Sequence, residues 1–119
     1  MSQITIYHNP RCSKSRQTLQ LLNDQGLDPQ IVLYLEDAPD LATLRNLSKY
    51  LKLRPQEWVR KNEEAFKNAS VDLEDDEALF QLMAIHPKVM ERPIVVKGKR
   101  AVIGRPPENV LALLKSAVR

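Results

Sequence analysis

The sequence predicts an α/β fold with a mixed sheet, its elements in the order β-α-β, helical insertion, β-β-α. Three observations carry the prediction. Near the start, the alternating segment Gln3-Ile4-Thr5-Ile6-Tyr7 gives way to helical spacing and then to the apolar run Ile31 to Leu35. From residue 36 to about residue 91, leucines and other apolar residues recur at helical intervals. Last come two short apolar runs joined by Lys97-Gly98-Lys99-Arg100, and a final amphipathic stretch.

Taken in order, Gln3 to Tyr7 is β-prone and meets Asn9-Pro10, a pair that stops a strand with a turn. Ser13 or Ser15 is placed to cap a helix carrying Leu19, Leu21 and Leu22, and Gly26 to end it. Ile31-Val32-Leu33-Tyr34-Leu35 is apolar throughout, the pattern of a strand covered on both faces. If these strands are parallel neighbours, Cys12 follows the carboxyl end of the first, the edge where open α/β sheets bind ligands. In the middle section Asp40 caps a helix whose Leu41, Leu44, Leu47 and Leu51 share a face, and Arg54-Pro55 breaks it. A second helical stretch around Gln56 to Phe66 holds Trp58 and "VRKN", residues 59 to 62. A third follows Asp75, Asp76 and Glu77, carries Leu79, Phe80, Leu82, Met83 and Ile85, and stops at His86-Pro87. Ile94 to Val96 and Ala101 to Ile103 read as a hairpin, and Pro107 opens a last helix with Val110, Leu111, Leu113, Leu114 and Val118.

A chain of 119 residues has the size of one domain and can bury roughly two-thirds of its unfolded surface. One domain over residues 1–119, with the insertion at about 36–91, therefore needs neither disulfide nor structural metal. With 43% hydrophobic and 28% charged residues, and no apolar run near the ~18 a membrane span requires, the composition is that of a soluble globular protein. The first strand begins almost at Met1, which leaves no room for a signal segment, so the expected location is the cytoplasm. A net charge of +3 weakly favours anionic partners. Nucleic acid is not predicted as a partner, since the sequence holds no long basic tract, zinc-finger spacing or aromatic RNA-binding signature.

One cysteine cannot form an internal disulfide and is too few for a thiolate zinc site. Cys12 is then a buried filler, an idle surface thiol or a reactive group. A helix N-terminus offers unpaired N–H groups and the positive end of a dipole, both of which favour thiolate. Arg11, Lys14 and Arg16 add positive potential, Ser13 and Ser15 can donate hydrogen bonds to sulfur or a bound oxyanion, and His8 helps if protonated. Lowering a thiol's pKa by two units raises its thiolate fraction roughly 25-fold but costs roughly 8-fold in nucleophilicity, a net gain of about 3-fold. Substrate positioning, which contributes up to ~7–11 kcal/mol, must carry more. The arginines to look at are Arg60 in "VRKN", Arg92 in "ERPIVV" and Arg105 in "GRPP", the last two flanking the hairpin. A guanidinium's planar fork suits tetrahedral oxyanions and stays charged. Taken singly, Arg60 reads as a solvated helix residue, Arg92 and Arg105 as salt-bridge partners, and Ser15 as a cap.

"ITIYHNPRCSKS" at residues 4 to 15, with "IVLYLE", "VRKN", "RPIVV" and "GRP" in that order, resembles the glutaredoxin-coupled arsenate reductase family over nearly the whole chain. The resemblance implies a thioredoxin-like fold with a helical insertion. It makes Cys12 the catalytic nucleophile, His8 and Ser15 its assisting residues, and Arg60, Arg92 and Arg105 the oxyanion-binding trio. It further implies arsenate as substrate, glutathione as co-substrate, glutaredoxin as partner, and no metal or bound organic cofactor; the chain is expected to act as a monomer. A single thiol suits such an external-reductant route, since an internal relay needs a second cysteine. Ser13-Lys14 follows Cys12 where resistance enzymes of the family tend to have Gly-Thr. Two other readings therefore stay open: a thiol oxidoreductase acting on another oxyanion or a glutathionylated substrate, and a non-enzymatic transcription regulator of the same fold.

Overall fold

The computed structural model describes residues 3–115. Its strands are β1 (Ile4–Tyr7), β2 (Gln30–Val32), β3 (Ile94–Lys97) and β4 (Arg100–Ile103), and its helices α1 (Ser13–Asp24), α2 (Leu41–Leu51), α3 (Glu64–Ala69), α4 (Asp76–Ile85) and α5 (Val110–Lys115). Two compact units result. One joins the chain up to Leu33 to the chain from Arg92 onward, and the other is Tyr34–Glu91.

In the first unit the sheet order is β2-β1-β3-β4, with β1 parallel to β2 and antiparallel to β3, and β3 antiparallel to β4. This is the mixed sheet of a thioredoxin-like fold. Alternation places Ile4 and Ile6 of β1 and Val95 of β3 on one face, against Leu22 of α1 and Val110 and Leu113 of α5. Helix α1 ends two residues before Gly26, whose φ of +78° is the left-handed turn that lets the amide of Leu27 reach back to Leu22 O. Gly98 (φ +64°) turns the hairpin between β3 and β4. Val118, expected on the last helix, lies outside the described residues.

The apolar run at Ile31 is misread by pattern alone. β2 is only Gln30–Val32, it lies at the sheet edge, and Ile31 is 48% exposed, so the run is not a strand covered on both faces. The run's deepest residue is Tyr34, which lies past the strand and is buried in the second unit.

In the second unit Asp40 caps α2 by accepting the Thr43 N–H at 2.9 Å, and Asp75 caps α4 by accepting that of Ala78 at 3.1 Å. Leu44 and Leu47 of α2 and Leu79, Leu82 and Met83 of α4 are buried, and Arg45 pairs with Glu77 between the two helices at 2.6 Å. The stretch from Gln56 to Phe66 is not one helix. Pro55–Glu57 is a single 3₁₀ turn, and the chain then extends so that Val59 bridges Met90, with Arg60 N–H donating to Val89 O (2.6 Å) and Glu91 N–H to Trp58 O (3.0 Å). Pairing with a distant segment overrides the local helical period there. Fully buried Trp58 donates its indole N–H to Ser48 Oγ at 3.1 Å, and the Ser48 hydroxyl donates to Leu53 O.

Candidate active site

Cys12 is the N-cap of α1, in extended conformation, and its side chain makes no capping bond. Neither Ser13 nor Ser15 is the cap: Ser13 is the first helical residue, and Ser15 is turned inward, fully buried. The thiol is therefore presented where the helix end exposes N–H groups and the positive dipole end. A compact turn holds it there. Cys12 N–H donates to Asn9 O at 3.0 Å, Arg11 N–H to Asn9 Oδ1 at 3.0 Å, and the Arg16 guanidinium to Pro10 O at 2.8 Å.

Ser15 ties that turn to β1. Its Oγ accepts the Asn9 N–H at 3.0 Å and shares a hydrogen bond with His8 Nδ1 at 2.6 Å. Burial, and then the nearby Arg16 cation, hold the His8 imidazole below its ordinary pKa. The shift favours the neutral imidazole, so it works against the positive charge that the sequence makes conditional on His8 protonation.

A positive charge beside the sulfur comes from the other end of the unit. Arg105 follows β4, and its Nη1 stands 3.9 Å from Cys12 Sγ and donates to Arg92 O at 3.3 Å. At such a distance a cation and a thiolate attract by about 1 kcal/mol in water and about 4 kcal/mol at an effective dielectric of 20; exposed Arg105 belongs toward the first value. Arg92 precedes β3, and its Nε is buried with no hydrogen-bond partner among the described residues. The peptide bonds Arg92-Pro93 and Arg105-Pro106 are both cis. Cys12, His8, Ser15, Arg92 and Arg105 thus share one unit.

Arg60 belongs to the second unit. Its guanidinium is half-buried and pairs with Glu63 at 3.0 Å and Glu91 at 4.0 Å. Among the described residues, no group of three or more His, Cys, Asp or Glu side chains could hold a metal ion. No helix among them is long and apolar enough to cross a membrane.

Two supports of the site are not legible in the sequence. Asn9 is visible there only as a turn residue, although its side chain and carbonyl both anchor the thiol-bearing turn. Asn109 carries no local signal: its amide donates to Ile103 O (3.3 Å) and Arg105 O (3.2 Å), holding the loop that bears Arg105.

The chain is similar over nearly its whole length to known proteins. The model of the ArsC family matches residues 7–113. "Uncharacterized protein YfgD" of Escherichia coli strain K12 is 51% identical over 94% of this chain and 97% of its own. The arsenate reductase of Neisseria meningitidis serogroup A is 40% identical over 96% of this chain and all of its own. Among solved structures, the arsenate reductase from Vibrio cholerae superposes with a TM-score of 0.88 at 47% identity, covering 93% of this chain and 97% of that one. A family match from residue 7 to residue 113, which includes the thiol-bearing turn and both hairpin arginines, together with relatives this similar over nearly the whole chain, shows that the chain belongs to the ArsC family.

Proposed function

We propose that the protein is an arsenate reductase that depends on glutathione and glutaredoxin, with Cys12 as its nucleophile. The observation that carries the reading is the N-cap position of Cys12 with the Arg105 guanidinium 3.9 Å from its sulfur, a nucleophile beside an anion-binding cation. Support for the substrate comes from the relatives in Neisseria meningitidis and Vibrio cholerae that bear the name arsenate reductase.

In this mechanism the Cys12 thiolate attacks arsenic and displaces one oxygen as water, while Arg105, Arg92 and Arg60 balance the oxyanion's charge. His8 and Ser15 act by keeping the Asn9–Cys12 turn in place. Glutathione then attacks arsenic and displaces a second oxygen as water; a glutaredoxin thiolate attacks the glutathione sulfur, so the electron pair of that sulfur–arsenic bond stays on arsenic, and water finally hydrolyses the Cys12–arsenic(III) bond to release arsenite and the free Cys12 thiol. Two thiols supply the two electrons that take arsenic from pentavalent to trivalent, and those thiols leave as a disulfide. The scheme uses glutathione as co-substrate, needs no metal or bound organic cofactor, runs in a monomer, and suits the reducing cytoplasm.

The test is arsenite formation from arsenate with glutathione and glutaredoxin, on wild type, Cys12→Ser, and Arg60→Gln, Arg92→Gln and Arg105→Gln. Wild type should turn over, Cys12→Ser should not, and the arginine variants should require more arsenate. An inactive wild type, or full activity in Cys12→Ser, overturns the reading.

A further inference from the structure

Thr18 is fully buried on α1, further along the helix that Cys12 caps, and the scheme above gives it no task. Its Oγ1 lies 2.8 Å from Lys14 O and 3.3 Å from Gly104 O, so one hydroxyl proton is shared between the helix and the loop that follows β4. Gly104 N–H donates to Pro93 O at 2.9 Å. A Cβ built on Gly104 would meet Thr18 Oγ1 at 2.5 Å, and Thr18 Cγ2 and Pro93 Cγ at 3.0 Å. Glycine is thus required there for close approach, because any side chain would push the loop away from α1. The residue directly after it is Arg105.

We propose that Thr18 and Gly104 are positioning residues that clamp the Arg105 loop to the Cys12 helix and so set the distance between cation and thiolate. The inference rests on the reading in which Cys12 and Arg105 meet the substrate, and neither clamp residue touches the reacting atoms. Gly104 sets how near the loop can come, and the Thr18 hydroxyl holds it there through the carbonyl immediately before Arg105.

The test compares Cys12 alkylation by iodoacetate and by iodoacetamide, at low ionic strength, in wild type, Thr18→Val, Thr18→Ser and Gly104→Ala. The thiolate fraction cancels in the ratio of the two rates, which leaves the pull of nearby cations on the anionic reagent. If Arg105 retreats from 3.9 Å to about 6 Å, the ratio should fall by between about 2-fold, for water, and about 10-fold, for an effective dielectric of 20. The fall is expected in Thr18→Val and Gly104→Ala, while Thr18→Ser keeps the hydroxyl and the wild-type ratio. The arsenate KM should rise with it while kcat changes less, whereas a partly unfolded variant would lose kcat at constant KM. An unchanged ratio in folded Thr18→Val, or an equal fall in Thr18→Ser, overturns the clamp, and this comparison stands even if Gly104→Ala fails to fold. Alkylation needs no arsenate, so the two readings fail separately. An inactive wild type whose ratio still responds rejects arsenate reduction and supports the clamp, while an active wild type with an unresponsive ratio rejects the clamp alone.

Discussion

Replacing Ser15 by alanine tests whether this hydroxyl acts on the reaction directly or through the turn that presents Cys12. The change deprives two groups of one partner: the Asn9 N–H, 3.0 Å from Oγ, and His8 Nδ1, 2.6 Å away. A buried polar group left without a partner costs about 1–3 kcal/mol. Asn9 is half-exposed and belongs at the low end, whereas His8 is only 6% exposed and can take the full range. The sum is about 2–4 kcal/mol, a large part of the roughly 5–15 kcal/mol that holds a domain folded. Urea unfolding at pH 7.5 should show the midpoint displaced accordingly, at an unchanged slope. Because the Asn9 carbonyl in turn receives the Cys12 N–H, arsenate turnover by the molecules still folded should fall as well. A stability loss below about 0.5 kcal/mol, the level of an ordinary surface change, would refute the structural part of this reasoning. Lost turnover with unaltered stability would place the hydroxyl in the chemistry itself.

Three further outcomes are expected from the same structure. Ser48→Ala should destabilise the protein by about 2–4 kcal/mol, since it strands the buried Trp58 indole N–H and the Leu53 carbonyl together; Trp58→Phe in that background should recover part of the loss, as a double-mutant cycle in urea will report. The imidazole of His8 has a lower pKa folded than unfolded, so below about pH 6.5 the unfolded chain takes up the proton first; stability is fully present above that pH and drains away as acid reaches the folded pKa. In His8→Asn this loss between pH 6.5 and the carboxylate range should disappear, and an unaltered acid limb in urea titrations counts against it. Glu63→Gln relieves Arg60 of its nearer carboxylate, and since such a pair is worth up to about 1 kcal/mol, the arsenate KM should drop by as much as about 5-fold; an unchanged or higher KM removes Arg60 from the oxyanion site.

Elements ruled by local signals were legible in the sequence, and those ruled by distant partners were not. Asp40 and Asp75 cap the helices they precede, because a carboxylate before an apolar period meets the first free N–H groups whatever surrounds the helix. The hairpin at Gly98 and the stop at His86-Pro87 are local in the same sense. By contrast, nothing within "EWVRK" announces that residues 58 to 60 will pair with Val89, Met90 and Glu91 in place of helix. Edge placement of β2 is equally a tertiary fact, for an apolar run reports hydrophobicity without saying which strand lies at the border. At the site, position was legible and orientation was not. Cys12 falls at the helix start as its surroundings suggest, yet Ser15 turns away from the helix end toward His8, a choice set by the buried imidazole.

The three arginines carry the same distinction into chemistry. Residue type marks them equally, since each is a guanidinium in a short motif. Arg105 is brought beside sulfur by the hairpin and held by backbone contacts that no motif contains, while Arg92 keeps a buried Nε without a hydrogen-bond partner among the described residues. Arg60 arrives with its own counterions, Glu63 three residues ahead across a turn and Glu91 directly before Arg92. An oxyanion reaching Arg60 therefore competes with Glu63, held at 3.0 Å, for the same guanidinium. Arg105 stands 3.9 Å from the sulfur, so an oxyanion attacked by Cys12 meets a guanidinium beside the attacking atom. The motifs therefore rank alike as sequence and unlike as physics: Arg105 should dominate the affinity for the oxyanion, and Arg60 should contribute only after its ion pairs open.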